Sequence, residues 1–387
     1  MADTGLIATG FDTAVDEYLT RAYDGDRRRF LLENGVWDPG FAAELGDLGW
    51  YALAVPEGAG GLGLPLSELG RVFVRLGRHL VVGASLENLL LPALLQRFTA
   101  TGANPAVSAA VQTGVPLALV DPGVTDNWAA DLGSITVSDQ RLSGSVAAVR
   151  FARHASLLVV VADTGSGSAV YLVDPVAAGV RIEVLDSDDP AIEFARVILD
   201  DVHGEAVVSR DVSDGEFVSL IRSWARLLIA CELSGIAQHS LERTVDYVTA
   251  REQFGKPVGS FQAVKHIAAD MHAKSSGLHN LCLAALDVAD ESSVEDLEVL
   301  AATAKAHASD AAVRVCEDAI QLHGGMGFTT ENDVSWYYRR ALALRGWYGD
   351  ATELEIQVGA AVLEVASTDA ADGVSSDIVA SETRSRR

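Results

Sequence analysis

Apolar residues recur at helical spacing over the first ~114 positions of the chain. Phe11, Val15, Leu19 and Tyr23 fall four residues apart and predict one buried helical stripe. Leu31 and Leu32 open another apolar stretch. Ser67 stands where it would cap a helix whose stripe is Leu69, Val72, Phe73 and Leu76. Ser85–Phe98 is a very apolar helix that Pro92 is expected to bend or break. Between these helices lies LGWYALAVPEGAGGLG, Leu48 to Gly63. Its glycines suggest a phosphate cradle, but no GK[ST] follows and no strand–helix unit frames it, so it reads as a turn between helices.

The pattern changes near Pro116. Short apolar runs at Val115–Val120, Leu157–Ala162, Ala169–Val173 and Arg196–Leu199 are separated by Gly, Asp and Ser, which predicts an all-β barrel or sandwich. From Asp214 to Ala366 the helical period returns, in the segments Phe217–Tyr247, Phe261–Ala289, Val294–His323 and Thr330–Val365. Four long helices that each need an apolar partner predict a four-helix bundle. The expected organisation is therefore α+β. An N-terminal helical domain (1–114) precedes a middle β domain (115–212) and a C-terminal four-helix bundle (213–366), and a polar, disordered tail follows (367–387). Strands and helices do not alternate, which argues against a Rossmann domain.

Composition narrows the function. The 387 residues exceed what one core organises, in line with several domains. With 29 Lys and Arg against 54 Asp and Glu, the net charge is −25. That balance excludes the basic footprint of a nucleic-acid binder and opposes docking on anionic lipid. Cys231, Cys282 and Cys316 lie far apart, without zinc spacing, and read as buried thiols in a reducing cytoplasm. The N-terminus has no basic, then apolar, secretory pattern, and no apolar stretch is long enough to span a bilayer, so the chain is expected to be cytoplasmic.

Two segments carry candidate chemistry. REQFGKPVGSFQ, Arg251 to Gln262, joins two helices through a Gly/Pro turn. Its arginine either compensates a helix C-terminus or presents a fork to a phosphate or carboxylate. QLHGGMGFTTE, Gln321 to Glu331, ends a helix in glycines that either cap it or open the backbone to close approach. His323 reads as a packed or capping histidine rather than a base.

In this order and spacing, RxxFGxPxxxFQ and then QxHGGxGFT, the chain resembles the acyl-CoA dehydrogenase family over residues 12–365. GWxxLAVPExxGGLG, from Gly49 to Gly63, adds to the likeness. The resemblance implies the same three-part fold, usually as a tetramer, with FAD between domains and its adenine end reaching a neighbouring subunit. It implies oxidation of the Cα–Cβ bond of an acyl-CoA, with a carboxylate taking the α-proton, a hydride passing to the flavin, and electrons going on to an electron-transfer acceptor. Arg251, Phe254 and Gln262 match the family's FAD-contacting turn. Gln321, Gly324 and Gly325 match the segment that approaches the dinucleotide at a subunit interface. Arg226 stands where relatives place an arginine near CoA, although a surface salt bridge on the helix is the alternative.

The departures concern the base. Where relatives carry Glu after a Tyr, Tyr348 is followed by Gly349 and then Asp350. At the second family position for the base, before Arg226, stands Ala225. Asp350 is the candidate catalytic residue. Glu232, two turns or ~10 Å further along the same helix face, is a second candidate. The flavin-side loop and strand also differ, as Val120-Asp121-Pro122-Gly123-Val124-Thr125-Asp126 and Val149-Arg150-Phe151. The Gly349-Asp350 ending, the aromatic/Arg helix Trp336-Tyr337-Tyr338-Arg339-Arg340 and the Ala/Val/Asp-rich composition resemble one chain of the α2β2 steroid-degrading dehydrogenases of actinobacteria. They imply a base-lacking subunit acting with a related chain on a bulky, steroid side-chain-like acyl-CoA. The competing expectations are a self-sufficient dehydrogenase using Asp350 or Glu232, a flavin monooxygenase-like member of the fold, and a structural subunit without its own flavin.

Overall fold

The computed structural model describes residues 4–35, 37–99, 104–124, 133–187, 189–329 and 332–363. The chain opens with six helices: α1 (Thr4–Ala22), α2 (Gly25–Asn34), α3 (Pro39–Asp47), α4 (Leu66–His79), α5 (Ser85–Phe98) and α6 (Pro105–Thr113). Val15 and Leu19 on α1 and Tyr23 just after it are buried, and the side chain of Phe11, the first residue of the expected stripe, lies outside the described residues. Short helices start on local caps. Asp38 accepts from Gly40 N and Phe41 N before α3, and Asn104 accepts from Ala106 N before α6. Leu48–Gly63 is a connection between α3 and α4, built from two single 3-10 turns.

Two expectations in this region are corrected. Ser67 does not cap α4. The free amides of Leu66 and Ser67 donate to the carboxylate of Asp290 at 2.8 and 3.2 Å, so the cap comes from a residue far along the chain. Nor does Pro92 break α5, which runs unbroken from Ser85 to Phe98. Residues 86–95 are buried all round, so packing outweighs the hydrogen bond that proline forfeits.

The middle of the chain forms one eight-stranded sheet. Its strands are β1 (Leu117–Val120), β2 (Gly133–Ser138), β3 (Arg141–Arg150), β4 (Leu157–Asp163), β5 (Ser168–Val173), β6 (Val180–Leu185), β7 (Phe194–His203) and β8 (Glu205–Ala206). The order is β6-β7-β3-β2-β4-β5-β8, with β1 parallel to β4. β4 shows why its sequence is continuously apolar. Leu157, Val159 and Val161 face the helices, whereas Leu158, Val160 and Ala162 fill the sheet's own core.

The C-terminal part holds α7 (Asp214–Ala250), α8 (Gln262–Ala289), α9 (Val294–His323) and α10 (Val334–Gly346), then a last helix, α11, over residues 351–363. Ser213 and Glu216 close a reciprocal cap on α7, and Ser293 caps α9. α7 packs against α4, α8 and α9 and is buried almost throughout its first two thirds. The segment expected as one helix over Thr330–Val365 is two, because Tyr348 and Gly349 take left-handed φ of 58° and 105°. The expected tail, 367–387, lies outside the described residues. The architecture is the predicted one: helices, then a β unit, then a helical bundle. No helix among the described residues is long and apolar enough to cross a membrane.

Candidate functional site

The break between α10 and α11 is the loop Trp347–Asp350, and two buried cations hold it from below. Arg226, on α7, donates from Nε to the Tyr348 carbonyl at 2.9 Å. Arg226 is therefore buried in the interior rather than pairing at the surface. Lys305, on α9 and wholly buried, donates to Ser309 Oγ at 2.7 Å, to the Arg345 carbonyl at 3.0 Å and to the Gly349 carbonyl at 3.1 Å. All three ammonium hydrogens have acceptors. Burial, and next the Arg226 charge, push the Lys305 ammonium down to about 7, against the pull of Asp350 and Glu353. Reasoning from the sequence missed Lys305. Its signal was a lone lysine inside the Ala-rich helical run AATAKAHASD.

Above the loop, Trp347 stacks on Phe194 with ring centroids 5.3 Å apart, and the Arg150 guanidinium lies 5.7 Å from the Trp347 ring. Arg150 is buried beside Glu87 of α5, Nε to Oε1 3.0 Å. Burial raises the Glu87 pKa, and the Arg150 charge opposes that rise. Glu87 Oε2 and Arg150 Nη1 are buried without hydrogen-bond partners among the described residues. The loop after β1 is also held by an arginine. Arg222 grips Asp121 through Nε and Nη2 at 2.9 and 2.8 Å, and a side chain on Gly123 would strike that guanidinium. Thr125 and Asp126 of this loop lie outside the described residues.

Both candidate bases have structural partners. Asp350 Oδ1 accepts from Glu353 N at 2.9 Å and so caps α11. Glu232 Oε1 accepts from Arg340 Nε at 2.8 Å and lies 2.7 Å from Nη2, in a pocket where Arg340 also reaches Asp189 at 3.5 Å. Both carboxylates are thus engaged in contacts that hold the fold. Ala225, fully buried, has no acid to offer.

The other predicted residues gather at one exposed end of the bundle. Arg251 ends α7 in an extended conformation, its amide donating to Tyr247 O at 2.8 Å, and its side chain is exposed. β9 (Glu252–Gln253) and β10 (Lys256–Pro257) then form a hairpin around Phe254 and Gly255, both at positive φ, the pattern of a type I′ turn. Phe254 is 90% exposed despite its apolar ring. Gln262 opens α8, exposed. At the end of α9, Gln321, Gly324 and Gly325 are exposed, and added side chains at the two glycines would meet open space. His323 is packed, as expected. Its Nδ1 lies 2.8 Å from Ala319 O, burial lowers its pKa, and its ring stacks on Tyr247 at 4.3 Å. That stack ties the end of α7 to the end of α9, so the hairpin and the Gly turn share one end. Phe328 beside them is 80% exposed.

Comparison with known proteins identifies the family. Residues 222–363 match the family described as acyl-CoA dehydrogenase, C-terminal domain. The chain is 32% identical over 316 residues to acyl-CoA dehydrogenase FadE34 of Mycobacterium tuberculosis, a match covering 81% of this chain and 40% of that protein. It thus spans less than half the length of FadE34. The match to acyl-CoA dehydrogenase FadE27 of the same organism is 29% over 370 residues, 93% of this chain and 96% of that one. The chain belongs to the acyl-CoA dehydrogenase family. A solved variant of the Tcur3481–Tcur3483 steroid ACAD superposes with a TM-score of 0.83 at 24% identity, over 94% of this chain and 99% of that one, and so shares the fold.

The cofactor of acyl-CoA dehydrogenases is FAD. The exposed end fits the dinucleotide part of one: open backbone at Gly324 and Gly325 admits close approach, and the exposed Arg251 side chain suits a phosphate. The interior does not fit the ring as well. Arg150 ends β3 and Phe151 follows it; both are buried, Arg150 beside Glu87 and Trp347.

Proposed function

We propose that this chain is the base-lacking subunit of an FAD-dependent acyl-CoA dehydrogenase built from two related chains as an α2β2 tetramer. The reaction is α,β-dehydrogenation of a bulky, steroid side-chain-like acyl-CoA, with electrons leaving to an electron-transfer acceptor. The observation that carries this reading is the occupation of every candidate base: Asp350 caps α11, Glu232 is held by Arg340, and Ala225 is apolar. When bound, FAD accepts the hydride. This chain's residues hold and orient. Arg251, Phe254 and Gln262, with Gln321, Gly324 and Gly325, complete a dinucleotide site opened toward a neighbour. Arg226, the substrate-side arginine of this reading, and Lys305 fix the carbonyls of Arg345, Tyr348 and Gly349 at the end of α10 and in the loop after it. The name of the Tcur3481–Tcur3483 steroid ACAD, which joins two proteins, supports both the pairing and the substrate class.

The test is flavin stoichiometry. The chain is purified alone and with co-expressed dehydrogenase partners, and absorbance near 450 nm is compared with protein mass. One FAD per pair of chains, with activity only in the mixture, is the expected result. A yellow lone chain that oxidises an acyl-CoA, and loses that activity in Asp350→Ala or Glu232→Ala, would replace this reading with a self-sufficient enzyme.

A further inference from the structure

α8 is covered on one side only. It packs on α4, α7 and α9 through a buried line that includes Met271, Leu278, Cys282 and Ala289. The opposite side is exposed along the length of the helix. Ala269, Ala273, Gly277, Asn280 and Ala284 follow one another there at steps of three and four, with His266 at one end of the line and Asp287 at the other. This is not how a solvated helix face is composed. α9 shows the ordinary case, where Asp310 and Arg314 are exposed, one turn apart and 3.7 Å from each other. On α8 the middle of the outer line has almost no side chain, and one added to Gly277 would meet open space. Small residues let a second helix come to the short end of the 8–10 Å range of axis separations.

The spacing of this face is its own reverse. Two copies laid antiparallel about a two-fold at the Ser276–Gly277 peptide set His266 of one against Asp287 of the other. The same rotation sets Ala269 against Ala284 and Ala273 against Asn280. The charges follow the same symmetry. Lys265, His266 and His272 are exposed in the first half, with Asp270 the one exposed acid among them, whereas Asp287 and Glu291 are exposed at the far end. Among the described residues the side chains of His266, Asp287 and Glu291 have no hydrogen bond or ion pair of their own. Antiparallel helices also oppose their dipoles, the positive end of one beside the negative end of the other.

We propose that two copies of this chain pair through the outer face of α8, antiparallel and about that two-fold. A surface that complements itself under a two-fold is what an isologous contact requires, and it selects a second copy over an unlike chain. The net charge of −25 does not prevent this, because charges beyond about 8–10 Å are screened at physiological salt. The 28 residues of α8 span about 42 Å, and a strip about 10 Å wide along them covers about 400 Å² per copy. Stable pairs bury about 800 Å² per partner, so this contact belongs inside a larger assembly rather than to a free dimer. It joins two copies whether the remaining chains are the same or related, and so does not rest on the two-chain reading above.

Cysteine cross-linking of the full chain, with any co-purifying partner present, tests the pairing. The native thiols are buried, so the wild type sets the background. Gly277→Cys stands beside the two-fold and should link to itself under mild copper oxidation. Residue 269 of one copy lies about 22 Å from residue 269 of the other, far beyond the ~7 Å that a disulfide bridges. Ala269→Cys alone should therefore stay unlinked, as should Ala284→Cys, and the two co-expressed should link at least tenfold more. Ala273→Arg added to Gly277→Cys should cut the self-link at least tenfold while the melting temperature holds. The inference is overturned if Gly277→Cys forms no self-link, if Ala269→Cys links as well alone as with Ala284→Cys, if Ala273→Arg leaves the self-link within twofold, or if these positions link only to a different chain.

Discussion

The loop region around Trp347–Asp350 and the hairpin end of the bundle are built on opposite principles. At the loop, charged groups are buried and tied to one another: Glu87 with Arg150, Glu232 with Arg340, and Lys305 with three acceptors. At the hairpin end, Arg251, Phe254, Gln262 and Gln321 stand out in solvent. An interior of this kind is committed to holding the fold. At the hairpin end two large apolar rings, Phe254 and Phe328, are exposed, which is the kind of patch an interaction surface carries. On the function proposed above, the family's chemistry is divided inside one chain: the candidate acid-base positions hold the fold, and the positions proposed to meet a neighbour's cofactor stay exposed.

That division can be broken by substitutions on either side. Glu232→Ala should have the largest effect. It leaves Arg340 buried with Asp189 alone and should cost about 3–5 kcal/mol of stability, read in urea unfolding. A Glu232→Met/Arg340→Met pair should recover much of that loss. Loss of turnover by the folded mixed enzyme in the pair would instead show Glu232 to be a base. Arg251→Ala should leave the melting temperature unchanged but weaken FAD retention by the assembled enzyme. Losing one charge-assisted bond is worth about 1.5–3 kcal/mol, roughly 10- to 100-fold in affinity. Retained flavin would remove Arg251 from the dinucleotide site.

Lys305 sharpens the comparison through pH. Its folded pKa of about 7 lies below its unfolded value, so the unfolded chain binds the proton more tightly. Stability should therefore rise as pH climbs from about 7 toward 10, by no more than about 1.4 kcal/mol per unit, and level off below 7. Lys305→Met should flatten that difference, measured as wild type minus variant across the pH series. The smallest effect belongs to Asp350→Ala. As a lost cap it should destabilise by about 1 kcal/mol and leave the activity of the mixed enzyme within twofold.

The candidate dinucleotide residues were legible as motifs because they are local: REQFGKPVGSFQ and QLHGGMGFTTE each place their glycines, arginine and glutamines through neighbours in sequence. That both lie at one end of the bundle came from the fold. What was not legible was who partners whom. Asp350 looked like a displaced base because nothing nearby in sequence announces that its carboxylate turns back to Glu353 N. Glu232 looked available because Arg340 is 108 residues away. Ser67 looked like the cap of α4, and Asp290 is the residue that does it.

By itself the sequence determined the order of helices, sheet and bundle, since the period of its apolar positions switches from helical to short strand runs and back. It also determined the family, through two motifs whose geometry is short-range. Only the tertiary structure decided which charges are neutralised, where the last helix breaks, and that the outer line of α8 is left uncovered. The physical reason is that burial and pairing depend on distances between segments far apart in the chain. A long polar side chain reads the same in sequence whether it ends in water, on a partner or over an empty space.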